Sequence, residues 1–270
     1  MTNAPKSLGF AEICAAMTPK DGGFLAEIPD GWRQGRTCYG GLTAGLAVAA
    51  AERKFQDLPP LRSANINFIG PVSGTPIFTP KLLRRGRNVT MIEIIAHVGT
   101  DCVGTVTCAF GMPRQSEINV EYTAPPAPPP QDCEPFTPPQ AQDFVPSFFH
   151  RFETQLIAGG RPISGKDEGY IRAWSRHQHP ASREGTAAFV TLSDVLPPAA
   201  MPMFTKMGPV SSMTFLLNIL DDTPKTTDGW WQVETRQTAT RGGYSTQVMR
   251  FFDYDGRLVA EGLQSVTIFI

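Results

Sequence analysis

Between Cys38 and Phe55 the chain specifies a helix with no polar face. Cys38-Tyr39-Gly40-Gly41-Leu42-Thr43-Ala44-Gly45-Leu46-Ala47-Val48-Ala49-Ala50-Ala51 is small and apolar all round, and charge arrives only at Glu52, Arg53 and Lys54. Such a helix must be buried on every side. It is too short for a bilayer, which takes roughly 20 apolar residues. The rest of the chain therefore has to wrap around it. Gly40-Gly41 marks where the helix begins, and there exposed backbone N–H groups can face an oxyanion or a carbonyl oxygen. A core helix opened by a glycine turn is the plainer reading of the same residues.

The flanking sequence supplies the wrapping. Gly23 to Ile28 reads as a first strand, and Leu58-Pro59-Pro60 stops the helix. Ser63 to Ile69 then alternates, with Ala64, Ile66 and Phe68 on one face and Asn65 and Asn67 on the other. Ile77 to Leu83 is a further strand. Val89 to Val98 and Cys102 to Phe110, rich in β-branched residues, form a hairpin across Gly99-Thr100-Asp101. One helix followed by consecutive antiparallel strands is an α+β arrangement, and full burial of the helix requires the sheet to curl around it.

From Arg114 the composition changes. Thr123 to Pro139 holds Pro125-Pro126, Pro128-Pro129-Pro130 and Pro138-Pro139, which excludes helix interior and central strand and predicts an exposed, semi-rigid tether. This divides the chain into residues 1–113, a linker at 114–145, and residues 146–270. The second part repeats the plan of the first. Phe148 to Ile157 and Gly169 to Arg176 read as strands, Thr186 to Leu196 as a short helix stopped by Pro197-Pro198. Met213 to Leu220, Trp230 to Thr240, Ser245 to Asp253 and Arg257 to Phe269 follow as strands. The last two meet across Tyr254-Asp255-Gly256, a hairpin signal.

Composition narrows the function classes. Of 270 residues, 41% are hydrophobic and 18% charged, with a net charge of -1, so nothing favours a nucleic acid or an anionic membrane as partner. The five cysteines, Cys14, Cys38, Cys102, Cys108 and Cys133, contain no C-x-x-C pair, which argues against a disulfide framework or zinc site and fits a reducing cytoplasm. Met1 to Phe10 lacks the charged and apolar regions of a signal peptide. No G-x-S-x-G elbow or P-loop occurs. His177-Gln178-His179 reads as a strand end before Pro180 rather than a metal site, and neither metal nor cofactor is expected.

Taken in order, several short motifs resemble the medium-chain acyl-CoA thioesterase II family, whose fold is a double hotdog. They are Tyr39-Gly40-Gly41 at the helix start, Arg62-Ser63-Ala64-Asn65-Ile66-Asn67-Phe68-Ile69-Gly70-Pro71, and Arg84-Arg85-Gly86-Arg87-Asn88-Val89. Leu192-Ser193-Asp194 and Asp255-Gly256-Arg257-Leu258-Val259-Ala260-Glu261-Gly262-Leu263-Gln264 complete the set. The resemblance implies two tandem hotdogs, each a curved antiparallel sheet around a central helix. It also implies hydrolysis of an acyl-CoA thioester by an activated water, a role in fatty acid metabolism, and a homodimer or higher homo-oligomer. The site it implies is a trio of Asp, Thr or Ser, and Gln in the second hotdog. Asp194 and Gln264 match by position. Strict register puts Val210 at the third, and a slip of one or two residues puts Ser211 or Ser212 there. The family's Asp-His pair downstream is missing, which keeps a silent acyl-thioester-binding protein as the alternative.

The residues themselves bear on these assignments. In Leu258 to Ile268, Gln264 shares a face with Leu258, Ala260, Gly262, Val266 and Ile268. A glutamine there must find partners or cost about 1–3 kcal/mol, so it is either a satisfied core residue or an amide that holds water or a carbonyl. The matching position of the first half, near Ala109 and Phe110, is apolar, which predicts one site per chain. Asp194 interrupts an apolar helical segment; buried beside Gln264, it would be a general base with a raised pKa. Ser211 and Ser212 either orient the water or make a turn after Gly208-Pro209. Arg84, Arg85 and Arg87, the densest basic cluster, either meet coenzyme A phosphates or form a solvated turn.

Overall fold

The computed structural model describes residues 8–270, so most of the Met1–Phe10 stretch lies outside the described residues. In chain order, α1 (Phe10–Ala16), β1 (Thr18–Lys20), β2 (Gly23–Leu25) and the short pair β3 (Arg33–Gln34) and β4 (Thr37–Cys38) come first. Helix α2 (Gly40–Lys54) follows, then β5 (Leu61–Phe68), β6 (Ile77–Arg85), β7 (Val89–Val98) and β8 (Asp101–Gly111). The second half contains β9 (Glu134–Pro135), β10 (Phe152–Gly159), β11 (Tyr170–His177), α3 (Thr186–Leu192) and β12 (Val210–Ile219). It closes with β13 (Trp231–Arg241), β14 (Tyr244–Phe252) and β15 (Leu258–Ile268).

Thirteen strands form one sheet in the order β1-β2-β6-β7-β8-β5-β12-β15-β14-β13-β11-β10-β9. The two halves meet at β5 and β12, antiparallel from Thr214↔Asn67 to Asn218↔Ser63. Outward from this seam the orders β5-β8-β7-β6 and β12-β15-β14-β13 mirror each other, which is the repeat expected from the sequence. Each half curls its sheet over a central helix, giving two hotdogs in one chain. α2 touches β2, β6, β7 and β8, and its residues from Gly41 to Val48 are all buried. Its all-round apolarity is thus accounted for: one side meets the sheet and another meets α3.

The glycines of α2 set how closely the helices approach. A Cβ on Gly45 would stand 1.8 Å from Thr191 Oγ1 and 2.8 Å from the Ala187 carbonyl oxygen. A Cβ on Gly41 would stand 2.3 Å from the Thr191 carbonyl oxygen. Only a bare backbone fits at either place. Tyr39, fully buried, stacks on Phe148 at 4.0 Å and donates its hydroxyl to the Thr191 carbonyl at 2.9 Å. The start of α2 is therefore held against the Thr191 carbonyl of α3 through both Gly41 and Tyr39.

The proline-rich segment departs from the expected tether. Residues 114–123 are exposed, but from Ala124 onward the chain is laid against the second half. Ala124 N–H donates to the Gly256 carbonyl, the Trp174 indole donates to the Pro128 carbonyl at 2.8 Å, and β9 pairs with β10. Arg172, buried within the sheet, reaches the Pro125 carbonyl. Proline carbonyls still accept hydrogen bonds, so a segment with few donors can dock as a strap on side-chain donors. The expected strand at Phe148–Ile157 also begins late, because Ser147–Arg151 is a 3-10 turn in which Phe148 is drawn inward under Tyr39.

Candidate active site

Three elements of the second half converge where α2 begins. α3 ends at Leu192, with the Ser193 hydroxyl donating to the Val190 carbonyl at 2.8 Å, and Asp194 follows as the chain leaves the helix. Pro197-Pro198 prevents further helix, so the carboxylate sits at a fixed exit. Gln264 lies on the inward face of β15 among buried Ala260, Gly262, Val266 and Ile268, and is itself 3% exposed. Ser212 comes from β12, opposite Val266.

The Gln264 amide joins them. Its Nε2 donates to Asp194 Oδ1 at 2.8 Å and to Ser212 Oγ at 3.0 Å. Its Oε1 accepts from Nε2 of Gln247 on β14 at 2.7 Å, and Gln247 Oε1 accepts the Ala199 backbone N–H at 2.7 Å. Every polar atom of both buried amides is thereby directed, as burial requires.

Asp194 is held between opposing influences. Burial pushes its carboxyl up to about 7, against the Gln264 amide and the Gly41 backbone amide, which favour the anion. The start of α2 is close: a Cβ on Gly40 would lie 2.8 Å from Asp194 Oδ2 and 3.0 Å from the Phe68 ring. The positive pole of a helix from the first hotdog thus faces a carboxylate from the second. A carboxyl that titrates near neutrality and remains half-buried can take a proton from water and return it.

The sequence-predicted residues divide accordingly. Asp194, Gln264 and Ser212 are brought together, with Gly40 and Gly41 beside them. Ser211 is exposed, and its carbonyl accepts from Thr267. Tyr39 is near the site, but its hydroxyl is spent on Thr191 and its ring on Phe148, so it packs rather than faces the cleft. Arg84, Arg85 and Arg87 are exposed near the other end of α2, and Arg85 pairs with Asp57 at 2.8 Å. At 1.5 Å per residue, α2 separates its two ends by about 22 Å. His177 ends β11 in the core, its Nε2 at 2.9 Å from the Ala188 carbonyl oxygen.

Gln247 is a site neighbour that the sequence reading does not include. The signal is present, because Ser245, Gln247, Met249 and Phe251 alternate as an inward face of β14, and all four are buried. A second glutamine on an apolar strand face is subject to the same argument as the first.

The first half carries no such pair. Both long hairpins are bulged near the turn, at Ala96/His97 and at Phe251/Phe252. Beyond the bulge, Phe251↔Ala260 matches Ala96↔Gly104, so Gln247↔Gln264 matches Ile92↔Cys108. The counterpart of Gln264 is therefore Cys108, fully buried, beside the expected Ala109.

Two family descriptions match the chain. The acyl-CoA thioesterase N-terminal domain covers residues 28–111 and the acyl-CoA thioesterase C-terminal domain covers residues 130–268. No curated protein matches. Among solved structures, a hot dog fold protein from Alicyclobacillus acidocaldarius superposes with a TM-score of 0.86 at 20% identity, over 98% of this chain and 99% of that one. An acyl-CoA thioesterase II from Mycobacterium marinum gives 0.73 at 17% identity, over 96% and 97%. A tesB protein from Mycobacterium avium subs paratuberculosis gives 0.76 at 15% identity, over 97% and 99%. These likenesses agree with the double hotdog described above, and the two matched domains establish that the chain belongs to the acyl-CoA thioesterase family and is a thioester hydrolase.

Proposed function

We propose that the protein hydrolyses fatty acyl-CoA by direct attack of a water held between Asp194 and Ser212. The observation that carries this is the single Gln264 amide donating to both side chains. Ser212 Oγ accepts from Gln264, so its own proton is free to orient the water or meet the thioester oxygen. Asp194, as the anion, takes a proton from the water while the oxygen forms a bond to the thioester carbon. The electron pair of the carbonyl moves onto its oxygen, beside the N-terminal pole of α2. Collapse of this tetrahedral species breaks the carbon–sulfur bond, and the departing thiolate recovers the proton from Asp194. No covalent acyl-enzyme and no metal are involved in this scheme. Among the described residues no cluster of three or more His, Cys, Asp or Glu is arranged to hold a metal ion.

The test is release of free thiol from acyl-CoAs of graded chain length. Hydrolysis with a chain-length optimum supports the reading. Saturable binding with no thiol released on any of them supports the silent binder instead.

Two further aspects belong to the same proposal. A reducing cytoplasm fits the five cysteines, all of which are free thiols in the fold. Self-association fits the outer face of the sheet, where Leu263, 50% exposed, stands between Leu216 and Val248 on neighbouring strands. Light scattering should report a species heavier than 29.4 kDa at micromolar concentration, and a purely monomeric sample would overturn this part.

A further inference from the structure

The two faces of a glutamine amide are alike in shape and opposite in polarity. Which way Gln264 points therefore decides what Asp194 and Ser212 meet. With Nε2 toward them, the Asp194 anion is favoured and the serine proton is released to the cleft. With Oε1 toward them, the anion faces a carbonyl oxygen and the serine must donate to Gln264 instead. While Asp194 is protonated, neither it nor Ser212 fixes the choice alone. A protonated carboxyl and a hydroxyl can both donate as well as accept.

The anchor lies one residue further. The Ala199 backbone N–H can only donate, and it donates to Gln247 Oε1 at 2.7 Å. Gln247 is then obliged to present Nε2, which donates to Gln264 Oε1 at 2.7 Å. Gln264 is in turn obliged to present Nε2 to Asp194 and Ser212. Both glutamines are almost wholly buried, at 1% and 3% exposure, so water does not compete for these atoms. A main-chain amide that cannot flip thus sets the polarity of two side-chain amides in series.

We propose that Gln247 is a positioning residue for hydrolysis: it locks the Gln264 amide in the orientation that favours the Asp194 anion and frees the Ser212 proton. The inference rests on the thioesterase reading of this site. Gln247 lies behind Gln264, hydrogen-bonded to it and to the Ala199 N–H, and acts through Gln264. The groups facing Asp194 are Gln264 from β15, the start of α2 with Gly41, and Tyr39, a phenol whose pKa is raised well above its ordinary value by burial and by Asp194 itself. Tyr39 is neutral throughout the working range, so the amide orientation is the variable that Gln247 controls.

Two substitutions separate orientation from packing. Gln247→Met keeps the volume and removes the donor. It should lower kcat about tenfold with KM nearly unchanged, and move the acid limb of the pH–kcat profile upward. Gln247→Glu keeps the shape. While its carboxyl is protonated it donates to Gln264 as the amide did, and once ionised it can only accept and turns Gln264 over. This variant should approach wild-type kcat at low pH and lose about tenfold or more at high pH, an alkaline limb absent from wild type. A residue that only packs would lower the melting temperature in both variants and add no limb. An unchanged kcat in Gln247→Met, or a Gln247→Glu profile parallel to wild type, would overturn the proposal. The Gln264 side-chain NH₂ resonances supply a readout independent of turnover. They should follow the titration of Asp194 in wild type and lose that response in Gln247→Met. If wild type releases no thiol, the site reading fails, while a lost NMR response still upholds the orienting role and a retained one rejects it.

Discussion

At the scale of single residues, the burial of Asp194 bears on stability and, in the proposed mechanism, on rate. Its carboxyl titrates at about 7 when folded, so kcat should rise with pH through that value. Folded, it holds its proton over a range where the unfolded chain, titrating near 3.8, has already lost it. The cost to stability is therefore absent below about 4 and grows as pH rises towards 7. Asp194→Asn should be more stable than wild type at pH 8, by on the order of 1–3 kcal/mol, and equally stable at pH 4. His177 acts with the opposite sign. Burial lowers it to about 4 from 6.5 against the Ala188 carbonyl, which favours the cation, so its cost is absent above 6.5 and grows as pH falls towards 4. Thermal melts of Asp194→Asn across pH 4 to 6.5 should then show stability rising with pH more steeply than in wild type; a parallel dependence would remove Asp194 from this balance. Much of this site is legible in the sequence: a glutamine on an apolar strand face and an aspartate after an apolar helix. The choice between the serines is not. Counting back from inward Phe215 by twos reaches Ser211, but a bulge between Ser212 and Thr214 takes up Met213 and turns Ser212 inward. A bulge is a pairing property, and neither strand states it alone.

At the scale of elements, the fit of α2 against α3 brings the two halves of the candidate site together. The sequence declares that α2 is buried all round, and its small residues leave room for close approach. What they approach is set by tertiary structure, since α3 lies some 140 residues away and is short enough to be missed as a partner. Gly45 is the contact where the fit is tightest, facing the Thr191 hydroxyl and the Ala187 carbonyl. Gly45→Ala should cost about 1–3 kcal/mol or more, despite the better helix propensity of alanine. Adding Thr191→Ala should recover part of that loss, because it removes the nearer of the two atoms and leaves the carbonyl. Chemical denaturation of the single and double variants measures this. Additive losses would show that the helices do not meet as described.

At the scale of the molecule, one sheet runs through both hotdogs, and the proposed active centre lies where α2 of the first meets Asp194 of the second. The division into halves is readable from the repeat of helix and hairpin. The docking of the proline strap is not, because it relies on donors from Trp174 and Arg172 that no local pattern links to it. Limited proteolysis should cut the exposed stretch from Arg114 to Glu121 and spare Pro125 to Pro139; cleavage first within the prolines would restore the free tether. Asp194, Ser212 and Gln264 are proposed to serve one water, and kcat measured on the best acyl-CoA for Asp194→Asn, Gln264→Ala and the double variant puts this to the test. Each single change should lower kcat by about 10²–10³ with KM nearly unchanged, and the double variant should lose little more than either. A folded Gln264→Ala or Asp194→Asn with wild-type kcat, or losses that multiply in the double variant, would contradict it.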